Sequence, residues 1–329
     1  MRCSPVYAIG IVVLSSACDG PPSCGGRLLD ACRKAEDLTY ALGIQLADEA
    51  SNGNAILGDV NAMGATGKAA ISVRVNGMRG DGPRLEGVAV RTDGGENAST
   101  FSANRSVETA ISIDGVVGAW GGAQIGKIRF GGVDLLGSIV LTPNTNRGNL
   151  QLGGRPALFG AGVRLGLIQE GQSVPAVSLT SMMRVAKRFS AETPALPTDS
   201  GGFVKLKLER GDISTLDYRF AASKKFGPVG VSSGVGQNIY YVTSDYVVEG
   251  SGELGSGYEY ASFTVTRTDA FVGATYTYDK LTLGAEFGRV MGGSLPEARN
   301  RFGSQKASAP RNYLSLGIRV PTGRTLDKR

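Results

Sequence analysis

Residues 313–320 read Tyr-Leu-Ser-Leu-Gly-Ile-Arg-Val, and this stretch decides the fold class. Its large aliphatic residues occupy every second position, and aromatic, small or charged residues stand between them. A period of two is typical of a β-strand that has one apolar face. The same alternation recurs at 70–76, 106–114 and 203–209. The sequence therefore predicts an all-β protein.

Repetition of this pattern predicts about 12 strands, within a range of 12 to 14. The connections between them alternate between long and short, and the long ones are rich in Gly, Pro, Ser, Asn and Asp. A single transmembrane antiparallel β-barrel has this arrangement, with short turns at one end and long loops at the other. The predicted strands are 38–47, 67–78, 84–93, 106–119, 125–142, 155–169, 174–188, 202–223, 226–246, 258–278, 280–291 and 311–321.

The composition excludes several function classes. The 329 residues include 49 glycines and no histidine, so a Ser-His-Asp triad and a His-ligated metal are both excluded. We therefore predict no catalytic residues, no metal site, no cofactor and no enzymatic activity. The net charge of +6 is spread singly along the chain, which argues against a nucleic-acid partner.

The first residues resemble an export signal. Arg2 precedes an apolar stretch that is too short to span a membrane, and a small-residue cleavage site follows. Signal peptidase would cut after Ala17, which defines a signal peptide over 1–17. Alternatively, the segment resembles a bacterial lipoprotein signal, with Cys18 as the lipidated residue.

The cysteines bear on the segment that follows. If Cys18 is lipidated, Cys24 and Cys32 remain as an even pair for one disulfide in an oxidising compartment; otherwise three cysteines are left in the exported chain. We predict a periplasmic or plug segment with a short helix over 18–37, the barrel over 38–321 and a periplasmic tail over 322–329.

If the apolar stripe of each strand faces lipid, the opposite stripe lines the lumen. Eight basic and five acidic positions then face inward, which predicts a weakly positive lumen that favours small anions. The alternative is a closed network of ion pairs that fills a narrow barrel. The lumen-lining candidates are Arg74, Arg91, Glu108, Asp114, Arg164, Arg184, Lys205, Lys207, Glu209, Asp217, Arg219, Glu286 and Arg319.

The export signal, the alternating strands and the last strand, Asn312 to Val320, together resemble a Gram-negative outer-membrane β-barrel. The segment before the barrel loosely resembles hydrophobic-solute transporters of the fatty-acid-porin type, without a diagnostic family motif. Such barrels usually end on an aromatic residue, whereas this chain continues through Pro321–Arg329. The resemblance implies location in the outer membrane, with membrane lipid and the barrel-assembly machinery as partners. It also implies passive transport or pore formation for a small solute, or else a non-conducting structural or surface-binding role.

Overall fold

The structure, a computed structural model, describes residues 24–58, 60–85, 87–95, 102–142, 150–153, 157–293 and 307–322. The predicted signal peptide, the lipidation candidate Cys18 and all of the predicted tail except Thr322 lie outside these residues. Fourteen strands of the described chain form one antiparallel sheet. The alternating sequence pattern therefore predicted the all-β class correctly.

Ten of these strands form the wall of a closed barrel. Each wall strand pairs with two neighbours, and the sheet closes because β7 pairs with both β5 and β8. The wall strands are β1 (Ala69–Arg84), β2 (Ser102–Trp120), β5 (Val133–Leu141), β7 (Ala157–Ile168), β8 (Ala176–Glu192), β10 (Phe203–Phe226), β11 (Val229–Gly250), β12 (Ser256–Tyr278), β13 (Leu281–Val290) and β14 (Arg311–Pro321).

The other elements lie at the barrel ends or inside it. Four short strands are β3 (Ala123–Ile125), β4 (Ile128–Phe130), β6 (Gln151–Gly153) and β9 (Leu196–Pro197). One α-helix, α1 (Leu29–Ser51), precedes the barrel in sequence, and short 3-10 turns cover Gly26–Leu28 and Gly252–Leu254. Among the described residues, no helix combines the length and the hydropathy that a membrane-spanning helix needs.

The prediction of about 12 wall strands was too high by two. Segment 38–47 belongs to α1, because its apolar residues contact neighbours all round a buried helix and not on one face of a sheet. Segment 84–93 contributes only Arg84 to β1; Leu85, Val88 and Val90 are buried in a loop that covers one barrel end. The barrel therefore begins at Ala69 and not at residue 38.

The predicted strand 125–142 is interrupted before β5. Gly131 and Gly132 have φ angles of 73° and 132°, which L-residues with a side chain rarely adopt. These two glycines end the small β3–β4 hairpin and let the chain re-enter the wall. The hairpin lies at the same end of the barrel as the two-residue turns 227–228 and 279–280.

The connections distinguish the two ends of the barrel. We call the end at which β1 begins and β14 ends the lower end, and the opposite one the upper end. The alternation of loop lengths is weaker than predicted, because β11 and β12 extend far enough to leave only five residues between them. The upper connections are 85–101, 142–156, 193–202, 251–255 and 291–310, and the lower ones are 121–132, 169–175, 227–228 and 279–280.

Candidate functional site

Helix α1 lies inside the barrel and enters it from the upper end. It contacts β1, β2, β10, β11 and β12. Of its 23 residues, all except Leu29, Arg33, Glu36 and Tyr40 are buried. A helix that is buried on every side lacks the single apolar stripe of a surface helix. This is why the period-two pattern at 38–47 could be mistaken for a strand.

The upper half of the lumen is an apolar core around the helix. Leu38, Leu42 and Ile44 are fully buried there among inward-facing aliphatic residues of the wall. Gly43 allows the closest approach, since a Cβ at this position would lie 2.6 Å from Cγ1 of Val242. The helix can therefore pack directly against β11 at this level.

Asp48 connects the lower part of the helix to three strands of the wall. Its Oδ2 lies 2.5 Å from Nη1 of Arg267 and 3.4 Å from Nη1 of Arg311. Tyr240 donates a hydrogen bond of 2.9 Å to Oδ1 of the same carboxylate. All four side chains are buried. Charge-assisted hydrogen bonds in such a site are stronger than neutral ones and fix the position of the helix.

Two arginines of the wall bind the end of the helix. Arg219 donates a hydrogen bond to the carbonyl oxygen of Ser51 at 3.2 Å, and Arg74 donates one to that of Asn52 at 3.3 Å. The last carbonyls of a helix have no partner within the helix and carry partial negative charge. The two guanidinium groups therefore satisfy the helix C-terminus inside the barrel.

Below the helix, the lumen contains buried ion pairs between strands. Each of four inward-facing arginines lies opposite a carboxylate of another strand, and all the partners are buried. Removing one member of such a pair would leave a buried charge without compensation. The pairs are Arg74–Asp114 at 2.8 Å, Arg164–Asp134 at 2.7 Å, Arg184–Asp217 at 2.5 Å and Arg219–Glu286 at 3.3 Å.

The chain after the helix continues through the lower half to the start of β1. Ser72 donates a hydrogen bond to the carbonyl of Ala55 at 2.9 Å, and the N–H of Met63 donates one to Asp134 at 3.1 Å. The N–H of Gly67 bonds to the carbonyl of Gly118 at 2.9 Å. We call residues 24–68 the plug segment, because their described part contacts the wall from the upper end to the lower end.

The outer face of the barrel carries an apolar band that begins at the lower end. On β1 the outward-facing Ile71, Val73 and Val75 are each close to half exposed, although they are aliphatic. Outward residues of the other wall strands at this level follow the same pattern. About nine residues of tilted strand span a membrane, which matches the band. A closed sheet that is apolar outside and ion-paired inside excludes a soluble β-sandwich, whose apolar faces pack together.

The chain folds as a closed β-barrel with an apolar outer band, which is the architecture with which β-barrels span a membrane.

No protein-family model matches this barrel, and no curated protein does. Solved outer-membrane barrels are similar to it. The outer-membrane protease OmpT from Escherichia coli is 11% identical, with 80% of this chain and 100% of its own covered and a TM-score of 0.37. The translocator domain of the autotransporter NalP from Neisseria meningitidis is 8% identical, with 87% and 98% covered and a TM-score of 0.37. The toluene transporter TodX from Pseudomonas putida is 13% identical, with 83% and 96% covered and a TM-score of 0.30.

Nine of the thirteen lumen-lining candidates are on the inner face of the barrel. Most of them are paired within the chain and do not line an open channel. Arg319, the most exposed of the nine, points toward the carbonyl of Ile56 at 3.5 Å. The nine are Arg74, Glu108, Asp114, Arg164, Arg184, Asp217, Arg219, Glu286 and Arg319.

Three candidates on β10, namely Lys205, Lys207 and Glu209, were assigned to the wrong face. Here the apolar residues point inward against the plug segment, and these charged residues point out. This part of β10 extends above the apolar band, so water and not lipid surrounds its outer face. A bulge between Glu209 and Asp212 then shifts the register and returns charged residues to the inner face.

Arg91 is also outside the lumen, because it belongs to the upper loop 85–95 and not to a strand. Its guanidinium group forms an exposed ion pair with Asp93. The hydrogen bond from Arg91 holds the pKa of the Asp93 carboxyl below its ordinary value. The backbone N–H of Arg91 donates to Asp30 of α1 at 2.9 Å, which attaches this loop to the top of the plug segment.

Sequence reasoning missed the groups that hold the helix. Asp48 lay next to a segment assigned as a strand, so no pattern indicated its role. Arg267 was detectable, because it lies on one face of the strand predicted at 258–278 together with Asp269, which forms an ion pair with Arg219 of the wall at 3.4 Å. Cys24 and Cys32, the pair expected if Cys18 is lipidated, form a disulfide at the top of α1.

Proposed function

We propose that this protein is a non-conducting outer-membrane barrel, closed by its own plug segment, with a structural or surface-binding role. The observation that carries the proposal is the buried site of Asp48, where one helical carboxylate meets Arg267, Arg311 and Tyr240. An open pore would keep such charged groups hydrated. Here they bond to a helix that occupies the space a solute would need.

Opening the lumen would separate several buried ion pairs and hydrogen bonds at once. The contacts of Asp48, the arginines on Ser51 and Asn52, and the apolar core around Leu42 would all have to break. Breaking one buried pair by removing a partner already costs about 3–5 kcal/mol. Passive transport of a small solute, which the sequence led us to expect, would therefore require the plug segment to leave the lumen.

The upper part of the barrel favours a role at the membrane surface. Strands β10, β11 and β12 extend above the apolar band and enclose a soluble-type core, with Leu206, Leu208 and Val248 inside. Loop 85–95 and the disulfide close this part from above. We propose that it forms a rigid platform outside the membrane. The prediction that the protein is not an enzyme still rests on the lack of histidine.

Conductance in planar lipid bilayers tests the proposal. We expect the full-length protein to insert without stepwise current, because the plug segment fills the lumen. Asp48→Lys places a third positive charge beside Arg267 and Arg311, so we expect it to displace the helix and to produce current steps. Asp93→Lys changes a charge outside the lumen and should remain silent. Regular current steps from the wild-type protein would contradict the proposal.

A further inference from the structure

Two arginines stand side by side on the outer face, with one asparagine between them. Arg79 of β1 is directly opposite Asn312 of β14, and Asn312 is directly opposite Arg289 of β13. All three side chains are exposed. Among the residues that the structure describes, neither guanidinium group has a hydrogen-bond or ion-pair partner. Two cations thus face outward without compensation.

The spacing of this row suits a single anionic group. Adjacent strands are about 4.8 Å apart, so the Cα atoms of Arg79 and Arg289 are about 10 Å apart with Asn312 midway. Two arginine side chains can span that interval and converge above the asparagine. Their forked N–H donors match the oxygens of a phosphate, and the asparagine amide adds a further donor.

The residues around the row do not neutralise it. Val107 of β2 is the next neighbour of Arg79, and Ala270 of β12 is the next neighbour of Arg289. Both of these neighbours are uncharged and supply no counter-charge within the row. The uncompensated charge therefore belongs to Arg79 and Arg289.

The row lies at the upper edge of the apolar band. On β14 the four outward positions below Asn312 are Leu314, Leu316, Ile318 and Val320, all of them apolar and 43–51% exposed. Eight residues of strand tilted by about 40° rise about 20 Å, which is close to the height of a barrel's lipid-facing band. The guanidinium groups therefore reach the level of the lipid headgroups.

We propose that Arg79, Asn312 and Arg289 form a binding site for the phosphate of a lipid headgroup in the leaflet at the upper end. The acyl chains of the same lipid would lie along Leu314 and Phe287, which are exposed directly below the row. The site would fix the height and the rotation of the barrel relative to that leaflet. This inference rests on the membrane location and not on the closed lumen.

The test uses full-length protein in detergent, titrated with lipid A and with lipid A from which both phosphates have been removed. Native mass spectrometry counts the bound lipids and gives the dissociation constant. The test variant is Arg79→Gln with Arg289→Gln. The matched control is Lys280→Gln, which removes an exposed cation at the opposite end of β13. A heat-dependent mobility shift on gels confirms that each variant is folded.

We expect each lost arginine to weaken binding of lipid A about tenfold, so the double variant should bind about a hundredfold more weakly. Lys280→Gln should bind as the wild type does, and the dephosphorylated lipid should bind weakly to all three proteins. The proposal fails if the double variant binds lipid A like the wild type, or if the wild type binds both lipids equally. Competition by micromolar inorganic phosphate would also overturn it, because the site would then take a free anion.

Discussion

Replacing Asp48 by Asn removes the charge that holds the plug segment to the wall. The substitution keeps the side-chain shape, but leaves Arg267 and Arg311 without their shared carboxylate. Removing one partner of a buried pair costs about 3–5 kcal/mol. Arg267 keeps its bonds to the carbonyls of Met291 at 3.0 Å and Ala309 at 2.7 Å, so we expect a value near the lower limit.

The assay is urea unfolding of the protein in lipid vesicles, followed by the heat-dependent mobility shift. A loss of about 3 kcal/mol lowers the folding equilibrium constant by a factor of more than about one hundred. The control is Asp93→Asn, which breaks an exposed pair with Arg91 and should leave the unfolding curve unchanged. If Asp48→Asn costs less than about 1 kcal/mol, or behaves like the control, Asp48 does not anchor the helix.

Two further predictions concern the wall. Gly288→Ala would place a Cβ 2.3 Å from the buried ring of Tyr313, so we expect a loss of about 1–3 kcal/mol in unfolding free energy. At Gly137 a Cβ would meet no atom within 4 Å, so Gly137→Ala should leave the unfolding free energy unchanged or raise it slightly in the same urea assay. Equal effects of the two substitutions would refute the close approach of Gly288 to Tyr313. Leu206→Ala removes a fully buried side chain and should cost about 2–5 kcal/mol. The neighbouring Lys205→Ala removes an exposed ion pair with Glu192 and should cost less than about 1 kcal/mol. A larger cost for Lys205→Ala than for Leu206→Ala would mean that Lys205, and not Leu206, faces the lumen.

The period-two pattern predicted the class of fold because lipid imposes it on every spanning strand. Wherever a strand lies within the apolar band, as at 70–76 and 313–320, the sequence alone identified which residues face inward. The same rule failed at 203–209, because the strand has left the membrane there and the apolar face belongs inside. No sequence pattern marks the residue at which β10 leaves the apolar band. In the structure, a bulge between Glu209 and Asp212, with Arg210 at a φ of 52°, shifts the register at this point.

The plug segment could not be predicted for a different reason. A helix inside a barrel contacts the wall on all sides, so its sequence need not carry a single apolar stripe, and the chance alternation at 38–47 could be taken for a strand. Asp48 and Asn52 acquire their roles only from arginines that are distant in sequence. The cysteine count predicted the pairing of Cys24 with Cys32 only for the case in which Cys18 is lipidated, and the structure joins these two residues.

The most direct test of the closed lumen is a disulfide between the helix and the wall. Gly43→Cys with Val242→Cys joins positions whose side chains would be in contact inside the barrel. Gly43→Cys with Tyr241→Cys is the control, because Tyr241 faces outward. In isolated outer membranes we predict a cross-linked 43–242 peptide by mass spectrometry and none for 43–241. If the 43–242 pair stays reduced and reacts with a membrane-impermeant thiol reagent, the helix is not in the lumen and the account is wrong.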